Sequence, residues 1–218
     1  MAEQKTRALR KYEGDHTVVA VDAGHPELSF FAPFGPLIGH SRIEPALVAA
    51  LNAYADRVAT PGQGSEFMIP PEVAQAGGAQ SLLACLEGFI GRYVGQTERV
   101  AAARIQIDAI WVVSQYASTP SPMHFHTGDV SGVLYLRTPQ VANEDAERQK
   151  TYISGRQAGD LNFILGGKQR FSRTVTSVRP DVGDLYLFPG WLLHGAEPFR
   201  GEGERRSLAF NAFVTTAD

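Results

Sequence analysis

Two histidines stand one residue apart in Pro122-Met123-His124-Phe125-His126-Thr127-Gly128-Asp129, and an apolar run, Val130-Ser131-Gly132-Val133-Leu134-Tyr135-Leu136, follows at once. A third histidine, His194, closes the later stretch Phe188-Pro189-Gly190-Trp191-Leu192-Leu193-His194. In an extended chain, residues i and i+2 project to the same side. His124 and His126 can therefore aim both imidazoles into one cavity, with Phe125 turned toward the opposite layer. Three imidazoles from two separate strands suit one metal ion that keeps open positions for other ligands. Imidazole serves iron, zinc, copper and nickel alike, so the donor set does not name the metal. Two unrelated polar histidines beside a turn is the competing reading. The other histidines, His16, His25 and His40, have no partner motif and read as surface or loop residues.

A second set of polar residues lies near the end of the chain, in Arg205-Arg206-Ser207-Leu208-Ala209-Phe210-Asn211-Ala212-Phe213. Strand alternation puts Arg205, Ser207, Ala209 and Asn211 on one face and Arg206, Leu208, Phe210 and Ala212 on the other. If the first face points inward, it offers a guanidinium and a hydroxyl in an apolar cavity, the donors that a buried carboxylate needs. If it points outward, Arg205 is an ordinary charged residue at the mouth of a strand. Trp111 and Trp191 read either as pocket walls or as core aromatics.

The elements that must position these groups fall into two halves. Before residue 100 the sequence predicts short strands at Thr17–Val21 and Leu28–Ala32, then a helix from Ser41 or Glu44-Pro45 with Leu47, Leu51, Tyr54 and Val58 at helical spacing. Residues 59–72 read as a loop. A second helix is expected from Pro71 or Ala79 to Tyr93, with Gly95 as its stop. After residue 100, β-branched and period-two segments take over: 104–107, 109–116, 132–137, 159–165, 174–179, 183–188 and 206–215. Many short strands separated by Gly, Pro or Asp predict a sandwich or barrel. Residues 139–158 are polar and read as a long loop, either solvated or acting as a lid. The expectation is one domain over residues 1–218, in which 1–99 elaborate a β core formed by 100–218.

Composition narrows the partners. The chain has 218 residues, a formal net charge of -3 and a pI near 6.1, so it offers no electrostatic case for nucleic acid or an anionic membrane. One cysteine, Cys85, excludes an internal disulfide and a cysteine-rich metal site. No apolar run approaches a membrane span or a signal peptide, so a cytoplasmic location is the expectation. An exposed sheet edge would serve a homodimer, though no stretch argues for one.

The ordered set Trp111, His124-Phe125-His126, Ser131-Gly132-Val133-Leu134-Tyr135, Gly159-Asp160-Leu161-Asn162-Phe163, Gly183-Asp184-Leu185-Tyr186-Leu187-Phe188-Pro189, His194 and Arg205-Arg206-Ser207 resembles the 2-oxoglutarate- and iron(II)-dependent oxygenases of bacterial and phage type. The resemblance runs from about Trp111 to Phe213. It implies a mainly β protein with flanking helices, built on a double-stranded β-helix, also called a jelly roll or cupin-like barrel. It implies Fe(II) held by His124, His126 and His194. It implies 2-oxoglutarate paired through its far carboxylate with Arg205 and Ser207, with Tyr135 as a further contact. The activity implied is that of a dioxygenase, a hydroxylase of a small-molecule or peptidyl substrate, consuming molecular oxygen and yielding succinate. The larger superfamily carries His-x-Asp or His-x-Glu where this chain has His124-x-His126. Asp129 is the alternative third ligand, if the Thr127-Gly128 turn folds it back. The alternative function is a cupin-like metal-binding barrel, binder or isomerase, without oxygen chemistry.

Overall fold

The computed structural model describes residues 28–31, 35–119, 121–139, 158–167 and 173–216. The expected Thr17–Val21 strand, His16, His25 and nearly all of the 139–158 loop lie outside the described residues. Among the described residues, ten strands and three α-helices follow in chain order: β1 Ser29–Phe31, β2 Ile38–Arg42, α1 Pro45–Val58, β3 Ser65–Met68, α2 Pro71–Ala74, α3 Leu82–Glu98, β4 Ala102–Gln115, β5 Val130–Arg137, β6 Leu161–Ile164, β7 Val175–Val178, β8 Asp184–Pro189, β9 Leu193–Ala196 and β10 Arg205–Thr216. A 3-10 turn, Gly78–Gln80, lies between α2 and α3. The strands form a seven-stranded sheet in the order β1-β2-β8-β5-β10-β4-β3 and a three-stranded sheet in the order β7-β6-β9. All the pairings are antiparallel. This is the mainly β, two-sheet architecture that the strand pattern predicts and that the resemblance implies as a jelly roll.

The large sheet is covered on both faces, which explains its near-continuous apolar strands. One face meets α1 and α3 through Leu51, Leu86, Phe89, Ile90, Val112, Leu134, Leu187, Leu208 and Phe210. The other meets the small sheet through Tyr135, Leu161, Phe163, Tyr186 and Phe188. Such buried strands show little alternation in their sequence. Pro45 sits in the first turn of α1, where its fixed φ fits and its missing N–H costs nothing. Ser81 caps α3, its Oγ accepting from Ala84 N at 3.2 Å.

Several local expectations are corrected. Gly39-His40-Ser41 belongs to β2, and β3 lies inside the predicted 59–72 loop. In α1 the buried stripe is Val48, Leu51 and Ala55, while Val58 is exposed. α3 runs through Gly95 to Glu98 and ends where Arg99 turns left-handed (φ 60°). The segments 104–107 and 109–116 are one strand. A bulge between Asn211 and Ala212 leaves Asp108 without a partner in the register. One extra residue reverses which side each later residue faces. Ile105 and Ile107 before the bulge, and Ile110 and Val112 after it, therefore all pack on the helical side. Read from sequence, that change of phase looks like a break.

Candidate metal and co-substrate site

The site lies between the sheets, on the face of the large sheet that the helices leave uncovered. Register determines its floor. Arg205 pairs with Gln115, Ser207 with Val113 and Tyr135, and Ala209 with Trp111 and Val133. All eight side chains line one cavity of about 80 Å³, several times the ~10–15 Å³ that a single water needs. Leu161, His194 and Ala196 close it from the small sheet, with His124 and His126 at its rim.

The histidines converge. Their candidate ligating atoms all lie within 4.8 Å of one another. Ring centroids are 4.9 Å apart for His124 and His126, 4.5 Å for His124 and His194, and 5.2 Å for His126 and His194. Backbone pairing holds them there. His124 N–H donates to His194 O at 2.9 Å, and His194 N–H returns a bond to His124 O at 3.0 Å. His126 N–H donates to Gly190 O at 2.8 Å. This close approach explains Gly190, where a Cβ would collide with the Gly128 carbonyl.

Two of the rings are set for coordination. Nδ1 of His124 lies 2.7 Å from Pro122 O, and Nδ1 of His194 lies 2.8 Å from Leu192 O. A carbonyl only accepts, so each Nδ1 carries the proton and each Nε2 presents a lone pair. Burial pulls His194 down to about 4 and lowers His126, in both cases reinforced by neighbouring imidazoles. Neutral imidazole is the form that binds a metal. Trp111 meets the His126 ring edge-on, 5.6 Å between centroids.

Arg205 is 2% exposed. Its Nε and Nη2 donate to Gln115 Oε1 at 3.1 and 2.8 Å, and its Nη1 donates to the Glu197 carbonyl at 2.7 Å. The Phe199 ring lies 5.5 Å from its Cζ. Among the described residues Arg205 forms no ion pair. Burial lowers its pKa, with Tyr135 and Glu197 opposing. Tyr135 is buried beside it, and that burial raises its phenol pKa. A buried cation lacking a counter-charge, in the same cavity as three metal-capable imidazoles, fits a metal chelator that ends in a carboxylate. The residues present thus suit an iron–2-oxoglutarate pair.

Other expected site residues lie elsewhere. Asp129 is turned away from the histidines, its Oδ2 accepting from Val214 N–H at 2.8 Å. Trp191 is exposed (55%) and does not line the cavity, because its short turn between β8 and β9 directs it to solvent. Phe125 is also exposed (63%) rather than packed in a layer, since the 122–126 segment runs at the molecular surface. Asn211 stops short of the cavity and accepts from Ser131 Oγ at 2.7 Å. His40 is not a loop residue: it stacks on Tyr186 and places Nε2 3.1 Å from Asp184 Oδ1. Gln115 was not foreseen. Its position opposite Arg205 becomes visible only once β4 and β10 are in register.

No curated protein matches the chain. Residues 109–211 match the family model described as "Putative 2OG-Fe(II) oxygenase". Among solved structures, a prolyl-4-hydroxylase from Pseudomonas putida is 19% identical, covering 83% of this chain and 93% of its own, with a TM-score of 0.54. HygX from Streptomyces hygroscopicus, solved with nickel and 2-oxoglutarate bound, is 14% identical, with 84% of each chain covered and a TM-score of 0.54. A prolyl hydroxylase in complex with a hypoxia inducible factor oxygen degradation domain peptide fragment, from Trichoplax adhaerens, is 16% identical over 81% of this chain and 83% of its own, with a TM-score of 0.53. At these identities the likenesses show the jelly-roll fold. Residues 109–211, just under half of the chain, thus match a 2OG-Fe(II) oxygenase domain, the kind that uses Fe(II) and 2-oxoglutarate.

Proposed function

We propose that the chain is a hydroxylase in which His124, His126 and His194 hold Fe(II), and Arg205 and Ser207 receive the far carboxylate of 2-oxoglutarate beside Tyr135. One observation carries this reading: three convergent imidazoles share a small cavity with a buried arginine that has no carboxylate partner among the described residues. When bound, iron and 2-oxoglutarate supply oxygen activation, coupled to decarboxylation of the co-substrate to succinate.

The chain's own residues bind, orient and shield. The Pro122 and Leu192 carbonyls keep two imidazoles in the ligating tautomer. Trp111, Val113, Val133 and Leu161 restrict water around the reacting centre. Exposed His124 marks the open side, by which oxygen and the prime substrate reach the site. A third histidine in place of a carboxylate leaves the metal centre one unit more positive than a two-histidine, one-carboxylate site. A peptidyl substrate is supported by the peptide-bound Trichoplax structure.

The test is anaerobic loading with Fe(II) followed by 2-oxoglutarate. The expected result is a visible metal-to-ligand charge-transfer band, lost in Arg205→Ala, and succinate release under oxygen. Protein that binds iron yet gives neither band nor succinate would overturn the reading.

A further inference from the structure

Two adjacent buried arginines on β10 are treated in opposite ways. Arg206, 3% exposed, faces the helices and is fully compensated. Glu204 takes its Nε and Nη2 at 2.6 and 2.9 Å, and Asp56 takes its Nη1 at 2.8 Å. Arg205, 2% exposed, faces the cavity and, among the described residues, meets only neutral acceptors, the Gln115 amide oxygen and the Glu197 carbonyl. The nearby Glu197 carboxylate is anchored elsewhere, accepting from Asn162 Nδ2 at 2.7 Å. Among the described residues, carboxylates therefore bind one buried guanidinium and not its neighbour.

We infer that Gln115 is a positioning residue that seats Arg205 through a neutral acceptor, so that the guanidinium keeps its full charge, and one edge, for the carboxylate of the co-substrate. The inference rests on the reading of Arg205 as that carboxylate's seat. The geometry is specific. Gln115 stands directly opposite Arg205 in the β4–β10 register, so its amide reaches the guanidinium on the cavity face. A guanidinium has five N–H groups. Gln115 engages one on Nε and one on Nη2, and Glu197 O engages one on Nη1. What remains is one N–H on each terminal nitrogen, two donors for a carboxylate. The Phe199 ring beneath the group limits its tilt. A glutamate at position 115 would have the same shape and the same two contacts. It would also neutralise Arg205 from within, and an incoming carboxylate would then meet a satisfied cation and a like charge.

The experiment compares two probes by calorimetry on the manganese(II)-loaded protein: 2-oxoglutarate and its neutral 5-methyl ester. Truncating one side of a desolvated charge pair is costly, so the native protein is expected to prefer the carboxylate by about 100-fold. In Gln115→Glu that preference falls to about threefold or less, with 2-oxoglutarate affinity carrying the loss. An unchanged preference in Gln115→Glu overturns the inference and leaves the Arg205 assignment standing. A native protein without any preference overturns the Arg205 assignment itself, and the inference with it. Should Gln115→Glu fail to fold, Gln115→Met decides. About tenfold weaker binding of 2-oxoglutarate, as the seat loosens, supports the role, and native affinity refutes it. The preference ratio is independent of the active fraction of protein, so a merely structural role for Gln115 would not move it.

Discussion

Replacing Arg205 by methionine separates what the residue does for the ligand from what it does for the fold. The side chain is 2% exposed and donates three hydrogen bonds, two to Gln115 and one to Glu197 O. Losing those bonds weakens two acceptors, at about 1–3 kcal/mol for each one left without a partner. The same change removes a desolvated cation that lacks a counter-charge, a burden of several kcal/mol. Methionine fills most of the space with an adaptable apolar chain. The opposing effects nearly cancel, so the ligand-free variant is expected to unfold within about 2 kcal/mol of the native protein, a shift of a few degrees for this chain length. Ligand binding behaves differently. Loss of the charged partner costs ~2–5 kcal/mol, a factor of roughly 30 to 4,000 in the affinity for 2-oxoglutarate. The assay is thermal unfolding of manganese(II)-loaded protein with added 2-oxoglutarate. At 100 times its Kd, the ligand stabilises the native protein by about 2.7 kcal/mol, which raises Tm by about 5–10 °C. The variant at the same concentration is expected to show at most about a third of that shift. A Tm in Arg205→Met that still climbs by the native amount would refute the assignment of Arg205.

Three further outcomes are expected. His126→Ala should lower metal affinity by at least ~10-fold, whereas Asp129→Asn should leave metal content unchanged, because the Asp129 carboxylate is on the Val214 N–H; equilibrium dialysis with cobalt(II) reads both, and loss of metal only in Asp129→Asn would reverse the ligand assignment. Burial raises the Glu204 pKa, but bonds from Ser114, Arg206 and Arg137 outweigh it, and Arg206 with Arg137 likewise lowers Asp56 against burial. Both carboxyls therefore contribute stability above their unfolded values of 4.5 and 3.8, and lose it as pH falls through the lower folded values. Urea midpoints measured from pH 7 to pH 2.5 should fall along this limb, and Glu204→Gln should flatten it while costing about 3 kcal/mol at neutral pH; an unaltered limb would remove Glu204 from the account. Gly190→Ala should cost about 1–3 kcal/mol in chemical denaturation and weaken metal binding as well, since the collision with the Gly128 carbonyl shifts the segment that carries His126; full metal affinity in the folded variant would show that the segment tolerates the displacement.

Much of the architecture was legible in the sequence because it follows from local rules. Alternation on β10 set Arg205, Ser207 and Ala209 on one face, and the i, i+2 spacing put His124 and His126 on one side. The composition of the second half made a β sandwich or barrel the expected fold. Where local rules were overridden, the reason is tertiary. β2 and β3 are edge-side strands whose Gly- and Pro-rich surroundings look like loop until a neighbouring strand accepts their hydrogen bonds. α3 passes through Gly95 because its apolar face, down to Val94, is buried against the sheet.

By itself the sequence determined which residue types share a strand face, and hence that histidines, an arginine and a hydroxyl were available to one cavity. Only the tertiary structure decided which groups meet there. Register across β4, β10 and β5 is a long-range property, and it alone placed Gln115 on Arg205 and Tyr135 beside Ser207. The backbone pairing of His124 with His194 brought the third imidazole to the other two and left Asp129 on the far side of its turn. Local sequence gives a side chain its direction, but the identity of its partner depends on strands far apart in the chain, packed together by burial of the core.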